Sequence, residues 1–150
     1  MKPLFVLLGV FVLSLVLTKI FRGNFEFAMS GRIAMSIMLL FTATAHFVFT
    51  KGMSLMLPAF IPFKTELVYL TGFIEIILAI GLFIPVSNVI TAWLLIAFFL
   101  LIIPANIYAA IKHLDYQKGT FDGSGLSYLW FRIPLQVIFI AWTYFSFIKR

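Results

Sequence analysis

The chain has 150 residues, of which 63% are hydrophobic, 18% aromatic and only 11% charged, and its mean hydropathy is +1.14. A soluble domain is about half apolar and a quarter charged, so this composition excludes an ordinary water-soluble protein and points to a membrane protein. The net charge of +6 contains no long basic run, which argues against a nucleic-acid partner, and zero cysteines exclude disulfides, thiolate metal sites and CxxC redox chemistry.

A helical crossing needs about 20 apolar residues, with roughly 17–25 tolerated. The first candidate runs from Pro3 to about Thr18, with room to extend through Phe21, and is bracketed by Lys2 and Lys19. It is read as a retained helix. A cleaved signal peptide is the competing reading, disfavoured by the length of the run and the lack of a small-residue cleavage site after it. The second candidate spans about Ile33 to Thr50, the third Leu67 to Ile84, the fourth Val89 to about Ile111 and the fifth about Leu126 to Ile148. Each must be helical, because open strands cannot satisfy their backbone in lipid. The expected fold is therefore all-α, with an N-terminal transmembrane helix and linker over residues 1–31 and a four-helix membrane domain over residues 32–150.

The connections differ in character. Lys19 to Arg32 reads as a polar and aromatic linker with Gly23 and Gly31. Residues 51–66 carry Pro58 and Pro62 and are too short and broken to span, so they are expected at the interface or folded back over the bundle. Pro85-Val86-Ser87-Asn88 reads as a tight turn, and residues 112–125, the most hydrophilic stretch, as a solvent-facing loop. Lys2, Lys51, Lys64, Lys112 and Lys118 then share one side, opposite Lys19, Arg22, Arg32, Lys149 and Arg150. The second group lies closer to helix ends, where the positive-inside bias acts, so the N-terminus is expected outside and the C-terminus in the cytoplasm.

Five strongly polar residues interrupt the oily spans: His46, Glu75, Asn106, Arg132 and Gln136. Such side chains are costly in hydrocarbon and are kept mostly where they face a bundle interior or a wet cavity. His46 falls near the exit of the second helix, Glu75 near the middle of the third and Asn106 late in the fourth. Arg132 and Gln136 fall early in the fifth. Alternating helix direction puts all five in the half of the membrane that faces the 51–66 and 112–125 connections.

Helical spacing turns them inward. Arg132 and Gln136 are four apart and share a face; Thr42, His46 and Thr50 form another such row, and Asn106 shares a face with Ala109, Ala110 and His113. Glu75 is flanked by Thr71, Gly72 and Ala79, small residues that allow close helix approach. Pro104 and Pro134 place irregular backbone at the same level, freeing carbonyls for neighbours, waters or a ligand. The expected cluster centres on a Glu75–Arg132 pair, with His46, Asn106 and Gln136 around it. It is either a ligand site or a lock between helices, and the residues leave both open. No metal site is indicated. Haem is disfavoured, because His46 and His113 share a side of the membrane but not a depth, whereas axial ligation needs facing imidazoles.

The ordered series ATAHFVF, MLPAFIP, TGFIEIILAIGLFIP, IIPANIYAAI and FRIPLQVIFIAW, over about residues 32–145, resembles the DoxX-like family of small bacterial membrane proteins. The match is carried by His46, Phe47, Pro58, Pro62, Gly72, Glu75, Pro104, Asn106, Arg132, Pro134 and Gln136. The resemblance implies a four-helix transmembrane bundle made by helices two to five, to which this chain adds its first helix. The family takes its name from a quinol-oxidase subunit, some relatives are linked to thiosulfate oxidation or oxidative-stress complexes, and most members have no assigned activity. The expectation is an accessory or binding subunit of a membrane redox system, holding a quinone or similar amphipathic ligand and contacting a partner subunit in the lipid bilayer. The competing expectation is a non-catalytic assembly or chaperone-like protein whose polar cluster is structural. A transporter comes third, and five helices would then call for a homo-oligomer.

Overall fold

The apolar runs form helices and the polar breaks between them set the helix ends. The structure, a computed structural model, describes residues 2–84 and 86–149. Its helices are α1 (Lys2–Arg22), α2 (Phe27–Val48), α3 (Thr50–Ser54), α4 (Lys64–Phe83), α5 (Asn88–Leu101), α6 (Ile103–Ile111) and α7 (Ser127–Thr143), the last running on into a π-helical turn, Tyr144–Ile148. Among the described residues, five stretches are long and apolar enough to cross a membrane: α1, α2, α4, α5 with α6, and α7 with its π turn. The chain is an all-helical protein with the makings of a multi-pass membrane protein. The expected turn at Pro85 lies partly outside the described residues, as does the terminal charge of Arg150.

Two helices start earlier than their apolar runs. The second begins at Phe27 rather than Ile33, so the expected linker shrinks to the few residues around Gly23, whose φ is +75°. Arg32 thereby joins the span. Its cation is accommodated because Nε donates to the Ser146 carbonyl at 3.0 Å and the guanidinium stands 5.7 Å from the Phe147 ring centre. The third span begins at Lys64 rather than Leu67, taking Glu66 into the first turn, where a carboxylate complements the helix dipole.

The first helix is not an appendage. It packs along α2, its Leu7 is fully buried in the same apolar cluster as Met35, Leu39, Leu82 and Leu95, and its Phe11 meets Trp142 edge-on at 4.8 Å. The expected boundary between residues 1–31 and 32–150 therefore separates two sequence segments that share one core. Most of that core lies toward the end of the bundle carrying Arg32 and the π turn, which we call the far end. The other end carries the two long connections and is the loop end.

At the loop end, residues 51–66 fold back over the bundle. Gly52 of α3 sits against the Tyr116 carbonyl so closely that a Cβ would have no room. The facing loop is shaped by Asp115, whose carboxylate accepts the Gln117 and Lys118 amides at 3.0 and 3.3 Å, while its own amide donates to the Thr120 carbonyl at 2.8 Å. Thr120 donates its hydroxyl to the Asp122 carboxylate, which holds that exposed acid below the usual carboxylate range. The result projects Tyr116 back onto Phe49, ring centres 6.2 Å apart.

Candidate ligand cavity

Glu75 is 5% exposed, and its partner is on α2 rather than α7. The closeness of α2 and α4 starts with Gly72, where an added Cβ would lie 2.8 Å from the His46 Cβ. One turn further along α4, the Glu75 Oε1 stands 3.5 Å from His46 Nε2, and Oε2 stands 3.0 Å from the Thr42 hydroxyl. On the other side of the ring, His46 Nδ1 is 3.1 Å from the Val68 carbonyl and 3.0 Å from the Thr71 hydroxyl. A carbonyl only accepts, so Nδ1 carries a hydrogen. The Nε2–carboxylate contact is then attractive when one further proton is shared between histidine and glutamate. This is the arrangement of a proton-exchanging pair, fixed by two threonines and a backbone oxygen.

The expected Glu75–Arg132 pair is thus replaced. None of the ion pairs among the described residues involves Arg132. Its Nε donates instead to the Asn106 Oδ1 at 3.3 Å, and Asn106 Nδ2 donates to the Ile102 carbonyl at 2.9 Å. That carbonyl, which also accepts the Asn106 amide at 3.2 Å, lies at the helix break made by Pro104. Lacking an N–H, the proline ends α5 and starts α6, leaving Ile102 between them at φ −84°, ψ −8°. Gln136 Nε2 answers a second carbonyl near the break, that of Phe99, while its Oε1 is buried with no partner among the described residues. The side chains of Asn106 and Gln136 thus bond backbone carbonyls at the break. Pro134, by contrast, sits exposed within a continuous α7.

All five expected residues line one cavity of about 630 Å³ at the loop end, a volume in the range of small-molecule sites. Its wall is mainly apolar, with Met53, Met56 and Leu57 of the folded-back segment closing the top alongside Tyr116 and Gln117. Phe41, Val48 and Leu101 line it too, yet are 41, 70 and 76% exposed, so the cavity reaches the outer surface of the bundle between α2 and α5. His113 does not contribute to the lining. It stands exposed past the end of α6 at φ +52°, its ring against Gly125.

Thr42 and Thr71 were legible from spacing, each four residues before one of the acting groups. Tyr128, Tyr116, Gln117 and Lys2 also line the cavity and were not singled out. For Tyr128 a signal existed, since it lies one helical turn before Arg132. For the loop residues and Lys2 it did not, because their approach depends on how the connections fold back.

Helical bundle and cavity together define a small membrane protein with an internal polar site. The chain belongs to the family described as a domain of unknown function (DUF8561), whose model matches residues 35–146. Neither the curated proteins nor the solved structures give a match.

Proposed function

We propose that the protein is a DoxX-like membrane subunit that holds a quinone or similar amphipathic ligand for a membrane redox system. One observation carries this reading: the five polar residues that break the apolar spans converge on a ligand-sized cavity with a mainly apolar wall that reaches the lipid-facing surface. Arg132 and the neighbouring amides are placed to hydrogen-bond a ligand oxygen, and the His46–Glu75 pair is placed to give or take a proton beside it. The ordered motif series supports the DoxX-like relationship. Purification in mild detergent followed by lipid extraction should show quinone enriched over bulk membrane lipid. A cavity filled by packed side chains in an experimental map, with no quinone enrichment, would sink the proposal.

A structural reading has its own support, because most of the polar contacts named above join two helices: α2 to α4, and α7 to the α5–α6 break. Glu75→Gln separates the two. Lost redox activity in a protein that keeps its melting temperature favours the site, whereas a lowered melting temperature with activity intact favours the lock. We orient the cavity end outward. The absence of cysteine makes the test clean: K51C should react with an impermeant maleimide applied to intact cells, and K149C should not.

A further inference from the structure

The charges around the cavity do not balance. Glu75 is the only acidic residue among the described residues lining it, and that carboxylate is already engaged by His46 and the Thr42 hydroxyl. Arg132 cannot shed its proton. Among the described residues its one hydrogen-bond acceptor is the neutral amide of Asn106, and no carboxylate pairs with it. Lys2, at the start of α1, lines the same space and adds a second cation. A guanidinium held in a largely apolar chamber without a counter-charge is unfavourable, and the planar fork of arginine matches the oxygens of a carboxylate or phosphate.

We infer that the ligand is an anionic amphiphile, its acid head on Arg132 and its tail passing between α2 and α5 toward lipid. This rests on the amphiphile-binding reading and adds the charge. The tail direction follows from Phe41, Val48 and Leu101, which belong both to the cavity wall and to the outer surface. A head group at Arg132 also lies beside Gln136, whose amide oxygen is buried without a donor among the described residues. A protonated or hydroxyl-bearing oxygen on the head would satisfy it, and a bare quinone carbonyl would not. Carboxylate and phosphate monoester heads share the pairing with arginine, and a phosphate monoester that keeps one P–OH can also donate to Gln136.

The test uses full-length protein in a neutral maltoside detergent, at a pH where the acids are ionised. Palmitate, hexadecyl phosphate, methyl palmitate and decylubiquinone are titrated by calorimetry. At least one of the two anions should bind about tenfold or more tightly than methyl palmitate. The preferred anion then tells a free fatty acid from a lipid phosphomonoester. Arg132→Gln should abolish the preference and Arg132→Lys should retain part of it. Ala105→Trp, which fills the apolar wall without touching the charge, should weaken every ligand alike. If methyl palmitate or decylubiquinone binds as tightly as both anions, the charge inference falls and amphiphile binding stands. If nothing binds to folded protein, both fall. Should Arg132→Gln fail to fold, the comparison of acid with ester on the unaltered protein still decides.

Discussion

Arg32 and Arg132 are both arginines inside apolar spans, one at each end of the bundle, and their surroundings differ. Arg32 donates to a backbone carbonyl beside an aromatic ring, and its neighbourhood is solid: Phe147 is fully buried, and Trp142 Nε1 donates to the Gly31 carbonyl at 3.1 Å. Arg132 donates to a side-chain amide and faces open volume. A backbone carbonyl and a ring are what a helix pair needs to close a seam. An amide that is itself tethered beside a broken helix holds a cation in place while leaving its other donors for something else. The comparison separates an arginine that finishes packing from one that furnishes a site.

The largest expected effect sets packing at the two ends against each other. Leu82 is buried in the far-end core, and Leu82→Ala should cost about 2 kcal/mol, the low end for such truncations because a micelle also takes up the released leucine in the unfolded reference. Ile74 borders the cavity, so Ile74→Ala enlarges a space already present and should cost less than half as much. Unfolding by sodium dodecyl sulfate in mixed micelles reads both. Equal costs would mean that the loop end is as tightly packed as the far end.

Next in size is the His46–Glu75 contact. A double-mutant cycle on His46→Ala and Glu75→Ala should give a coupling of about 1–2 kcal/mol, near the upper values for polar pairs between membrane helices. The cycle pairing Glu75 with Arg132 should give a coupling close to zero. Reversal of the two results would restore the pairing that the sequence suggested and dissolve the His46–Glu75 contact at the cavity.

That pairing shows where sequence reading stops. Helix direction is counted from segment order, so the depth of His46, Glu75, Asn106, Arg132 and Gln136 could be read before any coordinates, and all five do line one chamber. Spacing along a single helix likewise exposed Thr42 and Thr71. Which helix faces which is set by rotation about each axis, and that depends on close contacts such as Gly72 on His46. Charge alone favoured arginine as the partner of Glu75; geometry gave histidine. The early start of α2 was hidden for a similar reason. Arg32 looked like loop because its compensating carbonyl, on Ser146, is supplied by the last turn of the chain.

A smaller effect probes the far-end seam. Trp142→Phe keeps the ring beside Phe11 but removes the donor to Gly31. One interhelical hydrogen bond of this kind is worth about 0.5–1 kcal/mol, and the same unfolding titration should resolve it. No change at all would mean that the far end is held by shape alone.

The smallest expected effect is electrostatic. Arg22 and Glu26 form a 3.0 Å ion pair across the α1–α2 turn, with both side chains well open to solvent. Water screens such a pair and its two long side chains lose freedom to make it, so Glu26→Gln should change stability by about 0.5 kcal/mol or less. The turn keeps its other supports, because the Glu26 amide still reaches the Thr18 hydroxyl at 3.4 Å and the Ser30 amide still reaches the Glu26 carbonyl at 2.9 Å. Whatever effect remains should fade as salt is raised toward about 1 M, where screening acts over only a few ångströms. A loss above about 1 kcal/mol that persists in salt would show that charge, rather than the burial of Leu7 and the Phe11–Trp142 contact, fixes α1 to the bundle. The far end would then owe its solidity to the same kind of interaction that the loop end keeps open for a ligand.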